Sequence, residues 1–292
     1  MDTVTIVGVG LIGGSFGLAL RKAGFRGRLI GVSSPGAIRD ALERGAIDEA
    51  LPLAEAVAQA DLVYLAQPIR RIIQTLATLD PWLRPGSLVT DAGSTKAMIV
   101  EQGRQSIHRG QFLGGHPMAG KELRGARAAD ADLFQERTWV LTPEEPGAME
   151  TRQAADLVAW IRRIGARPLV MDPEEHDRVV ALTSHLAQLA STALAATVAG
   201  NLNPPERLAV AGSGLRDMTR LALSSYELWR DIVATNTDAI DRALGLYIQE
   251  LEHLRENLRT RQLEEEFQKA AELAGRLRSS RVAPPPSPAD LG

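Results

Sequence analysis

At roughly 150 residues per domain, a chain of 292 residues holds about two domains and enough apolar material for a sizeable core. Lys and Arg number 33 against 36 Asp and Glu, a net charge of −3, so no basic surplus points to a nucleic-acid backbone or an anionic membrane surface. A hydrophobic content of 45% excludes wholesale disorder, and the absence of Cys excludes a disulfide framework, thiolate zinc sites, iron–sulfur clusters and a cysteine nucleophile.

The apolar start, MDTVTIVGVGLIGG, has no basic leader and no apolar run of about 18 residues. Neither a signal peptide nor a membrane span is expected there, and the expected location is cytoplasmic. From residue 4 to about 171, short β-branched runs alternate with helix-compatible stretches, the pattern of an α/β fold with a parallel sheet and crossover helices. Strands are predicted over 4–7, 28–32, 62–66, 87–90, 111–114, 138–142 and 167–171, and helices near 12–23, 35–44, 69–80, 95–107 and 148–164. Strand-like runs then stop. From Pro173 to about Arg278 every periodic stretch is helical, so a sheet domain over 1–171 is expected to join an all-helical domain over 172–280. The Pro/Ser-rich residues 281–292 read as a disordered tail. Over 226–258, apolar residues such as Trp229, Ile232, Ile240, Leu244, Leu251 and Leu258 recur at helical spacing. A single helix of about 30 residues would be about 45 Å long, more than one small domain covers, and predicts a homodimer through the helical half, with an intrachain bundle as the alternative.

The sharpest local signal is Gly8-Val9-Gly10-Leu11-Ile12-Gly13, directly after a strand and directly before a helix. Gly8 makes the tight turn, Gly10 lets backbone approach a pyrophosphate and Gly13 lets helix pack on strand, the logic of a Rossmann-type dinucleotide site that includes Leu11 and Ile12. The second strand ends at Ser33-Ser34-Pro35, where an NAD-preferring site often has an acidic residue. Ser33 and Ser34 can hydrogen-bond a 2′-phosphate and Arg39 can pair with it, so NAD and NADP both remain open; helix capping by the serines and a solvent-facing Arg39 are the alternative. Gln67-Pro68 ends another strand on the same edge and suits a cofactor contact or a plain turn.

Loops after the strands of an open parallel sheet meet at one crevice. Two of them carry reactive groups: Asp91-Ala92-Gly93-Ser94-Thr95-Lys96 and Gly114-Gly115-His116-Pro117-Met118-Ala119-Gly120, whose glycines and proline read as a loop presenting the His116 imidazole. Taken singly, Ser94 reads as a helix cap, and Arg216, Asp217 and Arg220 as a solvated helical face.

GVGLIGGS, DAGSTK, GGHPMAG, LTSHL and GSGLRDMTR together, in this order, resemble the prephenate/arogenate dehydrogenase family over about residues 4–260. The resemblance implies a nucleotide-binding domain followed by a helical dimerisation domain, and oxidative decarboxylation of prephenate or arogenate with hydride transfer to NAD or NADP. It implies His116 as the base to the ring hydroxyl, Ser94 as a group bonding His116 or that hydroxyl, and Arg220 as the substrate-carboxylate arginine. Asp217 is expected to orient Arg220 or bridge domains, Trp229 to lie near the substrate or in the core, and Ser184 to contribute to the substrate site. Prephenate-specific members tend to carry a histidine where this chain has Gln188, which can meet either substrate's side chain. His176 and His185 read as helix residues with structural bonds. No metal is expected. A β-hydroxyacid-type dehydrogenase is the second enzymatic reading, disfavoured because 174–200 contains no lysine, and a nonenzymatic dinucleotide sensor is the third.

Overall fold

The computed structural model describes residues 1–121, 123–203 and 205–279; the predicted tail lies outside the described residues. Its centre is an eight-stranded sheet in the order β3-β2-β1-β4-β5-β6-β7-β8. The strands are β1 (Thr3–Val7), β2 (Arg28–Val32), β3 (Glu49–Ala50), β4 (Leu62–Leu65), β5 (Leu88–Asp91), β6 (Gln111–Pro117), β7 (Thr138–Thr142) and β8 (Arg167–Val170). Helices α1 (Leu11–Lys22), α2 (Pro35–Glu43), α3 (Leu53–Gln59), α4 (Ile69–Leu79), α5 (Ala97–Ser106) and α6 (Arg152–Arg163) connect them. The central strands β4 and β5 are buried at every position, so neither alternates between apolar and polar; β4 is an unbroken apolar run, whereas β5 ends in the buried Thr90 and Asp91. Phe16, Tyr64, Phe134 and Trp139 form the aromatic centre of the core, with ring centroids 4.4 to 5.9 Å apart.

Two short elements, β3 and α3, escape the sequence pattern because two residues and seven residues are too few to show a period. The sheet also departs from the all-parallel expectation: β6 and β7 pair antiparallel, with His116 opposite Val140 and Pro117 opposite Trp139. His116 therefore stands on a strand and not on a loop. Gly114 and Gly115 are needed for close strand approach: a Cβ on Gly115 would lie 2.6 Å from the Asp91 carbonyl oxygen, and one on Gly114 would strike the Thr142 hydroxyl.

Helices follow the last strand. Asp172 caps α7 (Pro173–Val180) by accepting the Glu175 N–H at 2.9 Å, with Pro173 in the first turn. A π-helical turn, Ala181–His185, leads into α8 (Leu186–Asn201), and α9 (Ser213–Thr219) and α10 (Tyr226–Thr235) follow. The single helix expected over 226–258 is two, α10 and α11 (Thr237–Asn257), because Asn236 leaves helical geometry at φ −138° and ψ 31°. Its side chain instead donates to the Asp177 carbonyl at 2.8 Å. The last described helix is α12 (Glu264–Ser279).

The first compact unit reaches from Met1 to Ile240, and the second begins at Asp241. Helices α7 to α10 thus pack with the sheet half. Polar ties account for it: Thr95 to Thr235 at 2.8 Å, and the Asp177 carboxylate to the backbone of Lys96 at 2.7 Å. The continuous stretch Pro173–Asn201 is long and apolar enough, by length and composition alone, to cross a membrane, but it carries buried His176, Asp177, His185 and Gln188, all hydrogen-bonded within the protein.

Candidate active site

The strand order reverses between β1 and β4, and the crevice beyond their carboxyl ends is where open α/β sheets take ligands. Gly8 turns there at φ +96°, a conformation costly for any other residue, and a Cβ would lie 2.6 Å from the Ala66 carbonyl. A Cβ on Gly13 would collide with the Gly8 carbonyl, which fixes the close packing of α1 on β1. At Gly10 a Cβ meets no protein atom within 4 Å, so the protein's own packing does not require glycine there. Gly10 also supplies no capping side chain to α1, and the first turn has no acidic residue. This end of α1 fits the pyrophosphate of a dinucleotide.

Ser33 and Ser34 lie exposed beyond β2, and Ser34, although at the cap position of α2, makes no capping bond. Its hydroxyl is thus not spent on the helix. Arg39 is exposed on α2.

Next to the glycine turn opens a cleft of about 730 Å³. Leu11, Ile12, Gln67 and Pro68 line it on the dinucleotide side, and Ser94, His116 and Arg220 line it further along. The fold therefore gathers residues from five separate segments. Lys121 and Arg124 add positive charge to the wall, and Asp231 is the carboxylate among the lining groups that is most deeply buried. Gln188, Ser184, Asp217 and Trp229 are not part of the lining. Gln188 is buried and donates to the Leu221 carbonyl at 2.8 Å, anchoring the segment that carries Arg220. Trp229 stands edge-on to His185 with centroids 5.7 Å apart, Ser184 lies in the π turn, and Asp217 is exposed on α9.

Behind His116 is a buried polar chain. The Lys96 ammonium pairs with Asp91, both fully buried, and donates to the Gly115 carbonyl at 2.7 Å. Asp91 in turn accepts the Gly115 N–H at 3.0 Å and the Gly93 N–H at 2.7 Å. Both peptide groups of the residue before His116 are thereby held by one ion pair. His116 Nδ1 lies 2.8 Å from His176 Nε2, and His176 Nδ1 lies 2.8 Å from Asp177 Oδ1. Ser94 shares the cleft but has no hydrogen bond to His116, whose partner is His176.

Burial, and then the neighbouring His176, Lys96 and His185, hold the His116 imidazole well below its ordinary range, so it is neutral at physiological pH. Burial likewise lowers His185 to about 4, against the opposing pull of Asp177. Burial also lowers Lys96, while Asp91 and Asp177 favour its charged form. A neutral imidazole on a cleft wall with cationic neighbours suits proton abstraction from an anionic substrate. Sequence reasoning set His176 aside and passed over Lys96, Asp91 and Asp177. The available signal was the pair of charged residues inside DAGSTK, spaced so that the strand end and the following turn face each other.

Comparison with known proteins agrees with this geometry. The family model described as prephenate dehydrogenase, nucleotide-binding domain, matches residues 16–170, and that described as prephenate dehydrogenase, dimerization domain, matches residues 172–272. The prephenate dehydrogenase of Bacillus subtilis is 37% identical over 265 residues, covering 87% of this chain and 69% of the relative. A solved prephenate dehydrogenase from A. aeolicus, in complex with hydroxyphenyl propionate and NAD+, is 31% identical with a TM-score of 0.83 and covers 97% of this chain and 99% of that one. A solved arogenate dehydrogenase from Synechocystis is also 31% identical, with a TM-score of 0.78 over 96% of this chain and all of that one, 100%. With a dinucleotide turn, a histidine-bearing cleft and both domains matched, this chain belongs to the prephenate dehydrogenase family of nicotinamide-dependent oxidoreductases.

Proposed function

We propose that the chain oxidises and decarboxylates prephenate, arogenate or both, with His116 as the base to the ring hydroxyl. The observation that carries this reading is the neutral His116 imidazole on the wall of the cleft that begins at the dinucleotide turn. Nicotinamide, when bound, supplies the hydride acceptor. Gly8 makes the turn, Gly13 packs α1 on β1 and Gly10 leaves room for the pyrophosphate at the start of α1, with Leu11, Ile12, Gln67 and Pro68 against the rest of the dinucleotide. Ser33, Ser34 and Arg39 stand where an acidic residue would repel a 2′-phosphate, so NADP is accepted as well as NAD.

His116 takes the hydroxyl proton as hydride leaves the same ring carbon. Loss of the ring carboxylate as carbon dioxide then places its electron pair in the ring, and an aromatic phenolate results. The substrate's charge balance leaves no net proton to release, so His116 returns its proton to that oxygen. The products are 4-hydroxyphenylpyruvate from prephenate and tyrosine from arogenate. Arg220 binds a substrate carboxylate through its guanidinium fork, and Ser94 bonds the reacting hydroxyl.

The working form is a cytoplasmic homodimer. In support, only 28% of the most apolar window of Pro173–Asn201 is buried in the single chain, and Leu182 and Val179 on that stretch are exposed. A second copy would cover such a face.

The test is initial-rate formation of reduced nicotinamide with prephenate and arogenate crossed against NAD+ and NADP+. His116→Asn should lose roughly 10²- to 10⁴-fold in kcat while still binding dinucleotide. Turnover of neither substrate by the wild type would overturn the reading.

A further inference from the structure

We propose that Asp177 and His176 are positioning residues that fix the tautomer of His116 and share the proton it takes up; this rests on the reading of His116 as the base. The argument starts at Asp177. Its Oδ1 accepts the Lys96 backbone N–H at 2.7 Å and its Oδ2 accepts the Ala97 N–H at 3.0 Å. Both oxygens are thus committed as acceptors, and the group behaves as a carboxylate. The His176 Nδ1 that lies 2.8 Å from Oδ1 must therefore carry a hydrogen.

A neutral His176 with hydrogen on Nδ1 has a lone pair on Nε2. His116 Nδ1 is 2.8 Å from that lone pair, and two lone pairs do not approach so closely without a proton between them. His116 therefore carries its hydrogen on Nδ1. Its Nε2 is left as the basic nitrogen, which is the one a substrate hydroxyl needs. The alternation of donor and acceptor from Asp177 through His176 to His116 sets this tautomer with no contribution from the substrate.

The same chain disperses charge. When Nε2 of His116 accepts the hydroxyl proton, the Nδ1 proton of His116 can move to Nε2 of His176, which then carries the positive charge beside the Asp177 carboxylate. Return of the two protons restores the starting state. His176 and Asp177 are 1% and 4% exposed, so water does not compete for these bonds. The charged groups facing the pair are Lys96 before α5, Asp91 on β5 and Asp177 on α7, and the titratable His185 in the π turn, lowered to about 4, is neutral. Without Asp177, an imidazolium here would face the Lys96 ammonium across a buried space, which opposes its formation.

Burial of the carboxylate is arranged by the fold. Asn236, at the break between α10 and α11, donates to the Asp177 carbonyl at 2.8 Å and lies 3.3 Å from His185 Nδ1. The start of α5 supplies the two backbone donors. Two segments far from α7 in sequence thus converge on Asp177.

The experiment combines two variants with an imidazole nitrogen spectrum of the full chain. In the wild type, long-range nitrogen–proton correlation should show His116 as the Nδ1–H tautomer. Asp177→Asn can point its amide N–H at His176 and reverse the pattern, so His116 should become the Nε2–H tautomer and kcat should fall by about 100-fold or more, with KM and dinucleotide affinity changed less than about threefold. His176→Gln keeps an acceptor for His116 Nδ1–H but cannot take a proton, and should lose about 10-fold in kcat. An Nε2–H tautomer at His116 in the wild type overturns the proposal. So does wild-type kcat in both variants while His116→Asn is inactive. If His116→Asn remains active, the base reading fails instead, and the spectrum still decides the tautomer.

Discussion

Replacing Lys96 with Met tests the buried ion pair that underlies the site. The wild-type ammonium is fully buried, pairs with a fully buried Asp91 and donates to the Gly115 carbonyl at 2.7 Å. Met fills most of the same volume without the charge. Asp91 would keep the N–H groups of Gly93 and Gly115 but lose its counter-ion, and the Gly115 carbonyl would lose its donor. Removing one partner of such a pair costs about 3–5 kcal/mol, because the survivor remains a buried, uncompensated charge. At about 2–4 °C per kcal/mol for a domain of this size, Tm should fall by about 10 °C. Asp91→Asn combined with Lys96→Met removes both charges, so the double variant should be more stable than the sum of the single losses predicts, by about 2 kcal/mol. Urea unfolding of the wild type, the two single variants and the double variant measures all four states. Because the pair holds both peptide groups before His116, Lys96→Met should also lower kcat. A single variant within about 1 kcal/mol of the wild type, or strict additivity in the cycle, would refute the reasoning.

The glycines of the turn should separate by role. Gly13→Ala forces a Cβ against the Gly8 carbonyl and should destabilise the fold by about 2 kcal/mol or more, whereas Gly10→Ala meets no protein atom and should unfold like the wild type while losing dinucleotide affinity; calorimetry and fluorescence titration distinguish them. Stability against pH should show two opposed contributions. His185 has its folded pKa lowered to about 4, so between about 6.5 and 4 the unfolded chain binds the proton and stability falls as pH falls, by about 3 kcal/mol at most. Glu144 is the reverse case: burial, and then Glu145, push its carboxyl up to about 7, so the folded chain holds the proton and stability falls as pH rises from about 4.5 to 7. Glu144→Gln keeps the neutral form, and should therefore gain up to about 3 kcal/mol over the wild type at pH 8 and nothing at pH 4. Equal denaturation midpoints for the two proteins at both pH values would contradict the assignment.

What the sequence determined by itself was local. The glycine turn was legible because each glycine answers a constraint set within a few residues of it, from φ at Gly8 to helix contact at Gly13. The helix start at Asp172-Pro173 was legible for the same reason, since a cap and a first-turn proline act on the next few N–H groups. Regular strands and long helices were legible through their periods. His116, Ser94 and Arg220 could be named from resemblance, and all three line the same cleft. The rest was decided by contacts between distant segments. The strand predicted over 111–114 was expected to give way to a loop at Gly115-His116-Pro117, and only the antiparallel pairing with β7 extends it as a strand that carries His116. Asn236 sits in a seven-residue gap of the apolar spacing, which two helical turns would span, and its bond to Asp177, a tertiary hydrogen bond, accompanies the end of the helix. Gln188 has the chemistry of a substrate contact, and it is only packing that brings its amide N–H to the Leu221 carbonyl, 33 residues away. His176 lies 60 residues from His116 and Asp177 lies 81 from Lys96. A hydrogen bond across such a separation has no period and no local propensity, so it comes into existence only when the sheet edge and the helical segment close on each other.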